Sequence, residues 1–513
     1  MRGVIAAGHE LTVQAAEVVL REGGNAFDAI VAAHFAACAA EPVLTSLGGG
    51  GFLLAKPADE QPLVFDFFVH TPYEKRAPDA LDAREVAIDF GPARQTFHIG
   101  RGTSATPGVV RGVFEAHRRL CTMPMRELCA PAIRYAREGV RMNALLAYNA
   151  GVVHPIYTES PVARAIYGGS GPHARLLEGD IIRQPELAET LEALAIEGDD
   201  LFYRGEIAHL IARDCEQGGG LLTRADFERY AVILREPLVT DYRDVTIMTN
   251  PLPSSGGILI AFALKLLDGA RLGAHPFGSI EHLALLAKVM RATSSARVEA
   301  LQPDGYLDPR KLLDANYLAR YRQQVLGRPR AMRGTTHISI IDGKGNVASM
   351  SLSNGEGCGE IVPGTGIMLN NMLGEDDLSP HGLKNWRAGL RMSSMMAPSL
   401  VLRPRGDVIA TGSGGSNRIR TAILQVLINL VDFDMDVEPA VRSSRIHMEG
   451  DKLSLEGGLT IEKVKPLLAA FPEHETWPEL NLFFGGAHTV MRAGREFRGA
   501  GDPRRGGVAR IVA

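Results

Sequence analysis

The sequence predicts a mixed α+β protein built as one large composite domain. Three observations carry that reading. Helical periodicity gives way to a strand pair within the first 70 residues, a mostly helical stretch spans about 108 to 232, and from Thr335 the texture turns to short strands and glycine turns. No low-complexity linker separates these parts and no fixed-period repeat runs through them, so the 513 residues read as one layered unit and not as a row of beads.

The elements follow in order. Leu11, Ala15, Val18 and Val19 keep one face of a first helix apolar, and Gly23-Gly24 stop it. Asn25 caps the next helix, Ala26 to Cys38, with Asp28 three residues on, where a carboxylate favours a helix N-terminus. That run is almost wholly apolar, so the helix is expected to be buried on most sides, ending toward Glu41-Pro42. Gly48 to Gly51 lead into Phe52-Leu53-Leu54, which pairs with Leu63 to Phe67. The glycine run lacks the Lys-Ser/Thr of a phosphate loop and any G-x-G-x-x-G spacing, which argues against a nucleotide binder; its expected role is close backbone approach to a site. Gln184 to Leu191 opens a further helix, and the turn-dense Asn250 to Gly257 leads into an apolar helix, 258 to 267.

Composition bounds the function. Glycine, at 56 of 513 residues, exceeds the ordinary share of about 7%, so close backbone approaches should matter. Lys and Arg total 55 against 59 Asp and Glu, a net charge of −4, and no segment concentrates basic residues, so neither nucleic acid nor an anionic membrane surface is an expected partner. Charge-free stretches such as Ala29 to Ala40 are far shorter than the ~18 to 20 residues that span a bilayer. The N-terminal apolar run breaks too early for a secretory signal, so the chain reads as cytoplasmic, or as periplasmic or secreted if an upstream signal was trimmed. The five cysteines are scattered, with no C-x-x-C pair and no histidine at zinc-ligand spacing, so neither a disulfide, a metal nor a cofactor is expected.

The segment from Gly334 to Ser353 carries the chemistry. Thr336 to Ile341 alternates, Asp342-Gly343-Lys344-Gly345-Asn346 is dense in turn formers, and Val347 resumes a strand. In the hairpin this predicts, Ile341 faces Val347 and Thr335 falls opposite Ser353, with opposed β-carbons ~4.5 to 5.5 Å apart. One reading of that pair is an ordinary cross-strand Thr/Ser contact. The other follows from the Gly334-Thr335 junction, where a cut would leave a threonine whose own α-amine, with a pKa of ~7.7 to 8.0, serves as base for its hydroxyl.

At these residues the chain resembles the γ-glutamyltranspeptidase (glutathione hydrolase) family of the N-terminal-nucleophile hydrolases. The motifs that carry the resemblance are Glu22 to Ala29 (EGGNAFDA), Leu47 to Phe52 (LGGGGF), Pro253 to Gly257 (PSSGG), Thr335-Thr336-His337, Gly366 to Asn371 (GIMLNN), Arg391 to Met395 (RMSSM), Thr411 to Arg418 (TGSGGSNR) and Gly501 to Arg504 (GDPR), in the family's order along essentially the whole chain. The resemblance implies a four-layer αββα sandwich with helical insertions in the N-terminal part, and a proenzyme cut between Gly334 and Thr335 into associated fragments of 334 and 179 residues. It implies that Thr335 is the nucleophile toward a small γ-glutamyl amide, with water or an amino acid or peptide as acceptor, and it leaves room for a homodimer of the processed unit. Ser353 matches the supporting hydroxyl, Ser393 and Ser394 the serines that hold the substrate carboxylate, and Gly414, Gly415 and Ser416 the oxyanion turn, ungapped matching selecting Gly415 and Ser416. Arg101 is the candidate carboxylate-binding arginine, although His98 is the ungapped match.

Departures fall in the α-amino pocket. The asparagine that the family places near the supporting hydroxyl is shifted by one, to Asn354 in Ser353-Asn354-Gly355-Glu356, and Met372 stands where glutamine is usual. Asp377, or Glu375 under a different gap, could supply the acid, with Asp377 or Glu356 then pairing the substrate ammonium. The carboxylate half of recognition therefore looks better supported than the amine half. Only 15 residues separate Asp377 from Ser393, shorter than in members with a lid loop, which favours hydrolysis over transfer. Two other readings stay open: a glutaryl- or cephalosporin-type acylase of the same superfamily, and an unprocessed scaffold without catalysis.

Overall fold

Two antiparallel sheets face one another in the structure, a computed structural model, which describes the chain except for residues 90–93, 170–174, 271, 303–305, 322–333, 376–377, 379–382, 384–385 and 460. The first sheet has seven strands in the order Val508–Val512, Gly3–Ala7, Thr336–Asp342, Val347–Ser353, Gly50–Lys56, Leu63–Phe67, Ile233–Arg235. The second has six, in the order Glu496–Ala500, Gly486–Ala493, Val408–Gly414, Ser399–Leu402, Val245–Thr249, Leu238–Tyr242. The strands Thr336–Asp342 and Val347–Ser353 pack on Val408–Gly414 across the interface. Helices Glu10–Arg21 and Ala26–Ala40 cover the outer side of the first sheet, and Ser255–Leu267 and Arg418–Val431 that of the second. This is the expected four-layer αββα sandwich. Helices Val109–Leu120 and Met125–Glu138 of the N-terminal part pack on Ala26–Ala40, and Pro185–Glu197 packs on Met125–Glu138 in turn.

The residues explain why these elements form. All of Ala26–Ala40 is buried, as its apolar composition demands, and it ends at Glu41, as expected. Asn25 accepts the N–H groups of Phe27 and Asp28, while Asp28 accepts the N–H groups of Asn25, Thr122 and Met123 and the Thr122 hydroxyl. One buried carboxylate thus caps its own helix and ties down a second connection. In Glu10–Arg21 the buried stripe is Thr12, Val13, Ala15, Ala16, Val19 and Leu20, and Val18, expected on the apolar face, is 41% exposed because it falls off that i, i+3, i+4 row. The strand texture after Thr335 is interrupted by the buried helix Arg418–Val431.

The order of strands interleaves the two halves of the chain. In the first sheet, Thr336–Asp342 and Val347–Ser353 lie between Gly3–Ala7 and Gly50–Lys56, and Gly3–Ala7 is flanked on its other side by Val508–Val512. In the second, Ser399–Leu402 pairs with Val245–Thr249. Residues before and after 334 therefore share both sheets.

A buried ion network closes the C-terminal part. Asp502 accepts Arg445 Nη2 at 2.7 Å, Arg504 Nη1 at 3.1 Å and the Ala487 N–H at 2.8 Å, and Arg504 also pairs with Glu456. Burial alone would raise the Asp502 carboxyl, but the Arg445 and Arg504 guanidiniums override it and hold it down to about 2, against an ordinary 3.8. A depressed folded-state pKa means that Asp502 contributes stability above about pH 3.8 and loses it as pH falls through about 2. Replacing Asp502 by Asn leaves two buried guanidiniums without their shared anion and is expected to cost about 3–5 kcal/mol at neutral pH. Urea unfolding from pH 7 to pH 2 should show that deficit shrinking as the native carboxyl protonates; a deficit unchanged at low pH would assign the loss to something other than its charge.

Candidate active site

The hairpin has the predicted register: Thr336 faces Leu352 and Ile341 faces Val347. Continued by one residue, it brings Thr335 to Ser353. The two hydroxyls do not bond each other; they converge on the Gly334 carbonyl, to which Thr335 Oγ1 donates at 2.8 Å and Ser353 Oγ at 2.7 Å. Ser353 Oγ accepts the Gly355 N–H at 3.1 Å, which orients its proton toward that carbonyl. The Gly334 N–H donates to Glu356 Oε1 at 2.9 Å, and the Thr335 carbonyl accepts Arg505 Nη1 at 3.3 Å. The peptide link between Gly334 and Thr335 is therefore gripped from both sides.

The residues that follow anchor the strand rather than react. Thr336 donates to Glu41, which is buried, also accepts the Thr12 hydroxyl, and is pushed up in pKa by that burial despite both hydrogen bonds and the nearby Arg505. His337 lies wholly buried between the Ser351 and Ser339 hydroxyls, and burial, with His488 beside it, pushes its pKa well down, so the imidazole is neutral. Gly412 has no room for a β-carbon against this ring, and Gly414 none against the Thr335 carbonyl. Two glycines of the Thr411 to Arg418 motif are thus explained by the strand they face.

Beyond Gly414 the chain leaves strand Val408–Gly414 and enters helix Arg418–Val431 through Gly415 at φ 116° and Ser416 at φ 54°. Ser416 holds a left-handed conformation that a residue other than glycine adopts at a cost of order 1–3 kcal/mol, kept where the surroundings over-determine it. The Arg418 and Ile419 N–H groups return to the Gly415 and Ser416 carbonyls, so the N–H groups of the turn stand at the positive end of the helix dipole. Among the described residues, no acceptor takes the Gly415 or Ser416 N–H. Gly414 is different, because it is paired with Gly486 in the sheet.

Two cavities flank this junction. A polar one, about 360 Å³ including its mouth, is lined by Thr335, Ser353, Glu375, Ser394 and Ser416 over a floor of Phe68, Leu378, Met395, Met396 and Ile419. The second, about 530 Å³ including its mouth, is lined by Gly334, Glu356, Gly415 and Arg505, by Tyr148 and Asn149, and by an apolar wall that includes Val43, Val152, Val153 and Phe483. The Ser393 hydroxyl donates to the Pro253 carbonyl at 2.8 Å, and Ser394 Oγ accepts the Met396 N–H at 3.0 Å. Ser254 and Ser255 hold the Ser394 carbonyl, which explains why the Pro253 to Gly257 segment belongs beside Arg391 to Met395.

Several sequence candidates fall elsewhere. Arg101 lines neither cavity: its guanidinium is engaged by Asp214 at 2.7 Å, by Glu360 at 3.2 Å and by Asp82 at 3.5 Å, partners enough to neutralise it. The alternative His98 is directed at the Gly374 carbonyl and Glu85. Asn354 is fully buried with its amide nitrogen toward the Met368 and Leu369 carbonyls, and Glu356 lines the second cavity and accepts the Gly334 N–H, so neither joins Ser394. Asp377 lies outside the described residues, while Glu375, the choice under the other gap, is buried in the polar cavity. Of the expected recognition residues, this cavity holds Ser394 and Glu375. Arg505 and Glu41 were not singled out by sequence; Arg505 reaches Thr335 across 170 positions, and only its place directly after the Gly501 to Arg504 motif could have pointed to it.

The comparisons with known proteins agree with this geometry. The family model described as gamma-glutamyltranspeptidase matches residues 12–512. The glutathione hydrolase proenzyme of Pseudomonas aeruginosa is 31% identical over 99% of this chain and 94% of its own. An acylase ACY 1 proenzyme from Pseudomonas sp. strain SE83 is 30% identical over 91% of this chain and 86% of its own. Among solved structures, a cephalosporin acylase from Bacillus halodurans superposes with a TM-score of 0.85 at 23% identity, covering 99% of this chain and 95% of that one, which establishes the fold. With the match running the length of the chain and the motif residues meeting around Thr335, the protein belongs to the γ-glutamyltranspeptidase family.

Proposed function

We propose that the chain is a self-processing γ-glutamyl hydrolase and transferase in which Thr335 is the nucleophile for both steps. The observation that carries this reading is the convergence of the Thr335 and Ser353 hydroxyls on the Gly334 carbonyl. In processing, Thr335 Oγ1 attacks the Gly334 carbonyl carbon, the acyl group passes from nitrogen to oxygen, and water opens the ester to a Gly334 carboxylate and a free Thr335 α-amine. Ser353 polarises the carbonyl by its hydrogen bond. The same residue pair does not meet at random, since the sheet register places it.

In turnover, the α-amine takes the Thr335 hydroxyl proton, the oxygen attacks a γ-glutamyl amide, and the negative charge that develops is received by the Gly415 and Ser416 N–H groups. Donors preorganised in this way are worth ~2.7 to 4 kcal/mol each. The amide C–N bond breaks, the proton passes to the departing amine, and water or a second amine takes the γ-glutamyl group from Thr335. Ser394, with Ser393 behind it, receives the substrate carboxylate, and Glu375 the ammonium, a role Asp377 was expected to fill. Hydrolysis dominates, because the short segment between Asp377 and Ser393 leaves little chain to cover the ester. Glutathione and related γ-glutamyl compounds are the substrate class, and a glutaryl-type acylase is the second reading, favoured by the engagement of Arg101 away from the cavity.

Three outcomes test this reading. On a denaturing gel with N-terminal sequencing, the purified protein should give two fragments, the smaller beginning Thr335-Thr336-His337; Thr335→Ala should leave one band, and Ser353→Ala should slow the cut by about 10² to 10³-fold, the equivalent of one lost oxyanion donor. A persistent single band of native protein, inert toward γ-glutamyl anilides, would favour a scaffold. Glu375→Gln should process normally but raise KM for γ-glutamyl substrates by on the order of tenfold to a hundredfold, since a buried ammonium then lacks its counter-charge; cleavage of glutaryl amides better than γ-glutamyl ones would select the acylase. With excess glycylglycine, glutamate release should exceed γ-glutamyl-glycylglycine formation, and a dominant transfer product would refute the preference for water.

A further inference from the structure

Asn417 directly follows the Gly415-Ser416 turn within the Thr411 to Arg418 motif, but lines neither cavity. It stands at the N-cap of helix Arg418–Val431, where an asparagine side chain ordinarily turns back to accept an N–H of the first helical turn. Here it makes no such bond. The side chain, 1% exposed, instead bridges two other elements: Nδ2 donates to Glu449 Oε1 at 2.9 Å, and Oδ1 accepts Arg297 Nη1 at 3.1 Å. Arg297 belongs to helix Ile280–Ala300 and Glu449 ends strand Ile446–Glu449, and these two elements pack on each other. Glu449 is fixed in turn. Its Oε2 lies 3.1 Å from His447 Nε2, and His447 Nδ1 lies 2.9 Å from the hydroxyl of Thr421, on the helix that Asn417 opens.

Burial pushes the His447 imidazole down to about 4, while the Glu449 carboxyl, which burial would raise, is held down to about 2 by the His447 hydrogen bond and by Arg420 and Arg418. A neutral imidazole beside a carboxylate carries its proton on Nε2, so His447 donates to Glu449 and accepts the Thr421 hydroxyl proton. Gly415 at φ 116° and Ser416 at φ 54° keep their conformation only where the surroundings over-determine it. The helix ties down the carbonyls of this turn through the Arg418 and Ile419 N–H groups, and the asparagine just beyond it is gripped at both ends by distant segments. We propose that Asn417 is a positioning residue for turnover, its amide clamped between Arg297 and Glu449 so that the Gly415 and Ser416 N–H groups stay aimed at the developing oxyanion. This rests on the proposed reading of that turn as the oxyanion site. In processing, the Gly334 carbonyl is held by the Ser353 hydroxyl, so the clamp bears on turnover and not on the cut.

Asn417→Leu approximates the shape of the side chain and removes both bonds. It should release the 179-residue fragment at the wild-type rate, yet lower kcat toward a γ-glutamyl or glutaryl p-nitroanilide by about ten- to a hundredfold with KM unchanged, the scale of a small misplacement of preorganised groups. Asn417→Asp sets a carboxylate against Glu449 and should lose as much. Adding Glu449→Gln, whose amide donates to that carboxylate while still accepting from His447, should recover most of the loss, a coupling that independent structural damage would not show. Should Asn417→Leu fail to fold, the Asn417→Asp pair carries the test. If processed wild-type protein cleaves neither substrate, the proposed function falls, and amide hydrogen exchange across residues 412–420 decides the clamp: it should be about tenfold faster in Asn417→Leu than in wild type, and return toward wild type in the double variant. An unchanged kcat, a loss carried by KM, equal slowing of processing and turnover, no recovery in the double variant or, in the inactive case, unchanged exchange overturns the proposal.

Discussion

Backbone pairing of Thr336–Asp342 with Val347–Ser353 sets the Ser353 hydroxyl beside Thr335, and the rest of the site is built around that pair. A slip of one residue in this ladder would turn Ser353 to the other face of the sheet and take its hydroxyl from the Gly334 carbonyl. The register is held from both ends. At the turn, Asp342 accepts the N–H groups of Lys344, Gly345 and Asn346 and also that of Ala26 at the start of a buried helix. At the open end, Ser353 faces Gly50 in the next strand, and Gly49 has no room for a β-carbon beside the Ser353 carbonyl. The glycine run at residues 48 to 51 is thus part of the same constraint, since any side chain at Gly49 would displace the strand that carries the supporting hydroxyl.

Electrostatics at the junction is arranged by burial. Arg505 is buried against the Thr335 carbonyl, and desolvation lowers its pKa to about 10, opposed by Asp502, Glu356 and Glu41 and reinforced by Arg418. It remains cationic at neutral pH. In the proposed processed form, a cation at this distance would disfavour a protonated Thr335 amine, and the free amine is the form the proposed mechanism needs. The carboxylates of Glu41 and Glu356 moderate that effect. Asp502 anchors the 3₁₀ turn Pro503–Arg505 by capping it at the Arg504 N–H, so the ion network of Arg445, Asp502, Arg504 and Glu456 also aims the neighbouring Arg505.

Local pattern made much of this legible. Alternation and turn formers gave the hairpin and its register, and Asn25 with Asp28 gave the helix cap, because these depend on residues a few positions apart. The motif order along the chain supplied Ser394 and the Gly415-Ser416 turn. What escaped were assignments that depend on distant partners. Arg101 has the right chemistry for a carboxylate, but Asp82, Asp214 and Glu360 come from three other segments and claim it first. Glu375 and Asp377 are two residues apart and identical in charge, so pattern alone could not choose between them; Glu375 lines the cavity, and Asp377 lies outside the described residues. Val18 was misplaced for a simpler reason: a helix with apolar residues on more than one row offers two faces, and the sheet beneath selects one.

The interleaved sheets bear on how such a chain can survive being cut. Thr336–Asp342 has strands of the N-terminal part as near neighbours on both sides of its hairpin, and the second sheet is shared as well. The proposed hydrolysis after Gly334 would remove one covalent bond but none of the ladder hydrogen bonds that hold Thr336 onward. In the proposed processed form the new amine would therefore appear on a strand that is already fixed, while on the other side Gly334 is held by Glu356 and Ser353. The order of the strand that carries Thr335 is therefore a property of strand pairing and not of the Gly334–Thr335 bond, and it holds whichever amide the proposed mature site receives.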